Sequence, residues 1–266
     1  MTAILSQLKF SFSLGKKITF FIIKSTLFFL FFKIVIYSDY SKNEITVIIN
    51  QTQIEDSLKK NLIKDFYTLY QDNTIYRIIE KPIPLNDTLI YYLSCNLPLC
   101  AKLINISRDK KYYYIEEKKD RIFQAADREE LIGEIIHLQN KHGKILFYGK
   151  GKVKFGFHYY DFIGYMKVKY WLENDQTIFQ SEISVYPSNY FARSILKMLL
   201  KIGFSGFVDQ KIDNIYKTIS KTALKLTNKQ YVFYRAIRSD SISKKYNITK
   251  DDTKKIQYIL KQIKGE

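Results

Sequence analysis

Cysteine is nearly absent: Cys95 and Cys100 are the only two in 266 residues. Separated by four residues in CNLPLC, they are not a C-x-x-C redox pair, and no second pair exists to complete a zinc site. Either they close a small disulfide loop in an exported domain, or they are buried free thiols. Histidine is as scarce. His137, His142 and His158 match no HxxxH or HExxH spacing, which removes the common histidine metal centres. Among the ten glycines, Gly149-Lys150-Gly151 lacks both the third glycine and the following helix of a phosphate loop. No serine stands in a G-x-S-x-G elbow. His158 lies on a basic strand face and reads as a surface residue rather than a proton-transfer group. Asp161, Asp175, Asp209 and Asp213 supply carboxylates, but nothing singles out a glycosidase-like pair. Asp209 suits the first turn of a helix, where the dipole favours it, and Asp213 is spaced to pair with Lys217. With no catalytic, metal or cofactor constellation in view, a non-enzymatic chain without a cofactor is the preferred reading, and the enzyme question stays open.

Acidic residues are also in short supply. Lys and Arg number 43 against 26 Asp and Glu, a formal charge of +17. Such a balance implies affinity for something anionic. Lys dominates, which suits diffuse attraction better than bidentate recognition of bases or phosphates. An anionic membrane surface therefore needs fewer assumptions than nucleic acid, which is disfavoured without being ruled out. What is abundant is apolar and aromatic matter: 46% of the residues are hydrophobic, with 22 Tyr and 19 Phe. A disordered tail is excluded. The tyrosines mark either a binding surface or a compositional bias shared with Lys, Ile and Asn.

One long hydrophobic run stands out at residues 18–37, ITFFIIKSTLFFLFFKIVIY. Twenty helical residues rise ~30 Å, enough to cross a hydrocarbon core. Lys24 and Lys33 lie off its mid-point, where each ammonium can snorkel to a headgroup layer. Lys9, Lys16 and Lys17 precede the run, and no A-x-A cleavage pattern follows it. The expectation is an uncleaved single-pass anchor over residues 1–39, with the bulk of the chain on the non-cytoplasmic side. The competing reading is a buried core helix. Asn86-Asp87-Thr88, Asn105-Ile106-Ser107 and Asn247-Ile248-Thr249 are formal glycosylation acceptors.

The rest divides into an α+β domain over residues 40–228 and a basic extension over 229–266. Residues 44–51, EITVIINQ, read as a strand on their Ile and Val content. Ile54, Leu58, Leu62, Phe66 and Leu69 follow at helical spacing, with Thr52 or Gln53 near the start. Strands are expected at 73–80, 88–92 and 111–116, and residues 124–138 are ambiguous between helix and strand. Residues 144–160 alternate with period two. Ile145, Phe147, Val153, Phe155, Phe157 and Tyr159 share one face; Leu146, Tyr148, Lys150, Lys152, Lys154 and His158 share the other. Gly149 and Gly151 suggest a bulge or bend. Residues 166–171 and 177–186 continue the alternation around a turn at Asn174-Asp175, giving three antiparallel strands. Helical patterns follow after Pro187, first through Phe191, Ile195, Leu196, Leu199 and Leu200, then over 208–226. The second presents Ile212, Ile215 and Ile219 on one side to cover the sheet. Residues 251–264 form a short helix that lies on a membrane, docks on the domain or frays.

This order of elements, with GKGKVKFGFHYYDFIGYMKVKYWLENDQTIFQSEISVYPSN and then VDQKIDNIYKTISKTALKL as the gripping helix, resembles the START-like (SRPBCC, polyketide cyclase-like) helix-grip superfamily. The resemblance implies a curved antiparallel sheet wrapped on a long C-terminal helix around an apolar cavity that binds lipids or similar hydrophobic ligands. The inner surface would comprise Phe147, Phe155, Phe157 and Tyr170 of the sheet with Ile212, Ile215 and Ile219 of the helix. Two functions remain: a membrane-anchored domain that binds a lipid or other hydrophobic ligand, or a membrane-associated structural or interaction protein with a filled core and a basic partner-binding surface.

Overall fold

A computed structural model describes residues 42–71, 75–127, 131–155, 158–174, 176–190, 193–194 and 205–265. The expected anchor at 18–37 and the helical stretch from Phe191 to Leu200, apart from Arg193 and Ser194, lie outside the described residues, as does Phe157. The chain divides into two compact units, Met1–Glu44 and Ile45–Glu266, and the second holds the sheet with the helices packed on it.

Seven strands form one antiparallel sheet in the order β1-β7-β6-β5-β4-β3-β2. They are β1 (Ile75–Ile83), β2 (Tyr113–Lys119), β3 (Ile122–Asp127), β4 (Leu131–Lys141), β5 (Lys144–Phe155), β6 (His158–Glu173) and β7 (Gln176–Pro187). Strands β2 to β7 run as a meander, and β1 pairs with β7 to complete the edge. The sheet is curved and carries C-terminal helices, as a helix-grip fold does. The ambiguous stretch 124–138 is strand: it holds the end of β3 and most of β4. Of the bulge or bend expected at Gly149 and Gly151, no bulge is present; register shifts fall between His137 and Gln139 on β4 and between Glu117 and Lys119 on β2. The glycines serve close approach instead. A Cβ on Gly151 would meet the Ile132 carbonyl and, at 2.6 Å, the Cα of its cross-strand partner Gly133.

Two of the expected strands are helices. Residues 44–51 belong to α1 (Lys42–Gln51), where Ile45 and Ile49 are buried one turn apart while Val47 faces outward. Tertiary packing at helical spacing outweighs the β-branched content there. Residues 88–92 lie in α3 (Asp87–Cys95), whose N-cap is Asn86: its Oδ1 accepts from Leu89 N–H at 2.8 Å. The Asn-Asp-Thr triplet is a helix-start signal. Between them α2 (Asp56–Gln71) follows the expected spacing, but Thr52 does not cap it. Thr52 is buried and donates to the carbonyls of Ile48 (2.8 Å) and Leu138 (3.0 Å).

Each face of the sheet is covered. On one, Leu146 and Tyr148 of β5 and Tyr165 of β6 pack beneath α2. Phe66 stacks on Tyr165 with ring centroids 5.3 Å apart, and Tyr148 donates to Asp65 at 2.5 Å. The face expected to be basic is therefore basic only at the far end of β5, where Lys150, Lys152 and Lys154 are exposed. Beneath the same helix layer Lys167, 2% exposed, lies 3.5 Å from Glu182, and Glu182 accepts from Tyr165 at 3.0 Å.

The opposite face meets α5 (Ser205–Asn228), the long helix expected there, and α3. Beyond them α4 (Leu97–Arg108), α6 (Tyr231–Arg238), α7 (Asp240–Tyr246) and α8 (Lys250–Lys264) share a second core. Leu89, Leu99, Leu103, Ile106, Leu226, Phe233, Ile256, Ile259 and Leu260 are buried in it. The terminal helix thus docks. A capping box between Thr249 and Asp252 starts it, and Lys102 of α4 holds Asp252 at 2.6 Å. Burial opposes ionisation of Asp252, but Lys102 and Thr249 outweigh it and keep the carboxyl below its ordinary range. The short apolar piece expected at 231–237 is α6.

Among the described residues no single helix is long and apolar enough to cross a membrane. Helices α3 and α4 together reach that length and composition, yet they meet at 109°, in mid-chain rather than at the N-terminus. Their apolar residues, Leu89 to Ile106, supply much of the second core.

Candidate functional site

The helix–sheet interface is the first place to look. Phe147, 7% exposed, packs with Ile83, Ile90, Ile145, Val168, Tyr170 and Ala223, and Ile219 of α5 closes on the same cluster. Met166, Phe179 and Tyr91 fill the margins. Phe147 also stacks on His137, with centroids 4.7 Å apart. Phe147, Tyr170 and Ile219 therefore meet as expected, but they meet one another as core. Ile215 does not join them: it is 50% exposed, on the outer side of α5. It sits one turn from Ile219, and its neighbour Tyr216 takes the inward place instead, buried and edge-on to Phe179 with ring centroids 5.8 Å apart. The side chains of Phe155 and Ile212 lie outside the described residues, together with Phe157.

Chemistry-bearing groups are dispersed. Burial pushes the His137 imidazole down to about 4, helped by the Arg121 charge, so it is neutral at physiological pH. His142 is exposed in the β4–β5 turn, 3.4 Å from Asp87, between the rings of Tyr91 and Tyr170. Cys95 and Cys100 are free thiols; burial raises Cys100 to about 12, which makes it inert. Asp213 pairs with Lys81 of β1 at 3.6 Å, not with Lys217 as spacing suggested. Asn105, buried, is no glycosylation acceptor. Its Oδ1 accepts from the N–H groups of Tyr112 and Tyr113, and its Nδ2 donates to the Tyr113 carbonyl. Among the described residues no three of His, Cys, Asp and Glu are placed to hold a metal ion.

Two surface features remain. The first is basic and aromatic. On α6 and α8, Arg235, Arg238, Lys254 and Lys261 are exposed beside Tyr231 and Tyr258. The Tyr234 ring lies 5.7 Å from the Arg238 guanidinium and 5.6 Å from the Lys264 ammonium, joining the two helices. Interleaved tyrosine and cation suit a boundary between apolar and anionic matter.

The second is a groove of about 560 Å³ at the end of the helix–sheet interface. The end of β1 with the Pro84–Leu85 turn forms one wall, the β6–β7 hairpin another, and α5 with α8 the third. Sequence reasoning missed it. Leu224 falls off the Ile212, Ile215 and Ile219 stripe of α5. Its one signal was that apolar residue off the helix stripe.

No family model matches the chain, and no curated protein matches it. Solved structures similar to it include an uncharacterised protein from Bacillus thuringiensis, at 9% identity over 56% of this chain and 99% of that one, with a TM-score of 0.38. A protein from Mycobacterium smegmatis is 12% identical over 58% of this chain and 92% of its own, also with a TM-score of 0.38. The di-domain ARO/CYC protein BexL is 11% identical over 63% of this chain and 55% of its own, again at 0.38.

Proposed function

We propose that this chain is a membrane-tethered interaction protein whose core is filled and whose basic C-terminal helices contact anionic lipid headgroups. The observation that carries this is the packing of Phe147, Tyr170 and Ile219 into one apolar cluster at the helix–sheet interface. Space that a helix-grip protein would give to a ligand is occupied here by side chains. The formal charge of +17 and the exposed cations of α6 and α8 then supply the means of recognition. Residues 18–37 have the length and composition to hold the chain at a bilayer, and the preceding lysines favour a domain on the non-cytoplasmic side. Each Lys or Arg near an anionic leaflet contributes ~1 kcal/mol, so four or five suffice to orient the domain.

The test compares the full chain in nanodiscs of neutral phosphatidylcholine with the same chain in discs containing one-third phosphatidylglycerol. Hydrogen exchange of α6 and α8 is expected to slow only in the anionic discs, and the protection to vanish in high salt. Charge reversal at Arg235, Arg238 and Lys261 should abolish it. Identical exchange in the two lipids would reject the reading.

A further inference from the structure

The two edges of the sheet are guarded differently. β2 is seven residues long, exposes Glu116, Glu117, Lys118 and Lys119, and shifts register against β3 between Glu117 and Lys119. At its start, Asn105 takes both the N–H and the carbonyl of Tyr113. Short length, charge, a bulge and a covering side chain are the usual devices that keep an edge from pairing with another chain. β1, at the other edge, has nine residues, IYRIIEKPI, pairs with β7 alone among the described residues and shows no register shift. Ile78, at its middle, is 46% exposed. Two of its charges are engaged within the molecule rather than set as guards: Glu80 accepts from Gln180 of β7 at 3.0 Å, and Lys81 lies 3.6 Å from Asp213 of α5. Pro82, opposite Ile178, has no N–H, and a sheet accepts proline where that group would point away from the neighbouring strand. By the alternation of the backbone, Ile78 and Glu80 likewise turn their N–H and carbonyl groups outward.

We infer that β1 is a self-association edge, at which a second copy of this chain adds its own β1 antiparallel and continues the sheet across a two-fold axis. The strand's charges name the occupant. Residues directly opposite in an antiparallel pair share a face of the sheet, so the axis must pass through one residue of β1. An axis at Arg77 sets two guanidiniums together, one at Ile79 sets Arg77 against Lys81, and one at Glu80 sets two carboxylates together. Like charges directly opposite destabilise a pair. An axis at Ile78 sets Ile78 on Ile78, Arg77 on Ile79 and Glu80 on Tyr76, with no like charges opposed. It also brings the outward backbone groups of the two Ile78 residues face to face and covers the exposed isoleucine. The contact is isologous, so it closes at two copies. It uses none of the cations of α6 and α8, and its failure would leave the anionic-headgroup reading standing.

The full chain in mild detergent, followed by sedimentation velocity over a dilution series, should show a reversible dimer. Ile78→Lys sets two ammoniums opposite each other at an exposed position and should raise the dissociation constant about tenfold or more, with the thermal midpoint of the domain unchanged. An equimolar mixture of Ile78→Lys and Ile78→Glu should dimerise again, as mixed pairs. Cysteine cross-linking reads the register. Under a mild oxidant Ile78→Cys should form an intermolecular disulfide, since residues opposite in a hydrogen-bonded pair hold their Cα atoms ~5.5 Å apart, within the ~4.4–6.8 Å a disulfide spans. Ile79→Cys meets its own copy only across the diagonal, at ~7–8 Å, and should not cross-link. The unaltered chain, with Cys95 and Cys100 in place, should not either. A chain that is monomeric at every concentration would overturn the edge. So would a dimer that Ile78→Lys leaves as tight as before, which would assign association to another surface such as residues 18–37. Cross-linking through Ile79→Cys in place of Ile78→Cys would overturn the register.

Discussion

Replacing Phe147 by alanine distinguishes a packed helix–sheet interface from a ligand chamber. Phe147 is 7% exposed, stacks on His137 and touches a cluster drawn from β1, α3, β5, β6 and α5. Truncating a phenylalanine in such a setting removes its transfer free energy and leaves a cavity, costing ~3–5 kcal/mol. Against a domain stability of ~5–15 kcal/mol that is a large share. A phenylalanine lining an open chamber has fewer neighbours to lose, and its removal should cost ~1 kcal/mol or less. Urea unfolding of the full chain in mild detergent, followed by the near-ultraviolet dichroism of its tyrosines, measures the difference. The midpoint should fall steeply for Phe147→Ala and hardly move for Ile215→Ala, since exposed positions change stability by under ~0.5 kcal/mol. A Phe147→Ala loss as small as that of Ile215→Ala would refute the filled core, and with it the main support for an interaction protein.

Three further outcomes can be checked. His137 has a folded pKa of about 4 against an ordinary value near 6.5, so between those values the unfolded chain binds the extra proton. Stability should fall by up to ~3 kcal/mol as pH drops from about 6.5 to about 4, and His137→Phe should flatten that part of the pH profile. Asn105→Ala orphans the N–H groups of Tyr112 and Tyr113, and should cost ~2–3 kcal/mol by urea titration while leaving any glycan count unchanged. Glu182→Leu leaves the Lys167 ammonium buried without its carboxylate and should destabilise by ~3–5 kcal/mol, whereas Glu182→Leu combined with Lys167→Met should recover most of the loss.

The meander from β5 to β7 was legible because period-two alternation in residues 144–186 is long and because Asn174 takes the left-handed conformation its turn requires. Helix α5 was legible for the same reason at helical period. Helices α1 and α3 were not. In each, β-branched or aromatic residues sit close together, and the deciding contacts come from parts of the chain far away in sequence. Asn86 carried the correct signal for α3, though glycosylation offered itself as the reading of the same triplet. The covering of both sheet faces was also hidden: Leu146 and Tyr148 alternate with lysines further along β5, and only the position of α2 shows which are buried. Of the expected inner surface, Phe147, Tyr170 and Ile219 come together. The groove escaped because its lining comes from four separate stretches, none patterned by itself.

The salt link between Lys102 and Asp252 spans 150 positions, and the apolar core it borders joins Leu89 to Leu260. A ribosome making this protein must therefore release the chain beyond Leu260 before those early helices find their lasting neighbours. Until then α3 and α4, the most membrane-like of the described helices, carry bare leucines. A product that stops before residue 250 would keep that condition permanently, and it should be met by chaperones and proteases rather than accumulate.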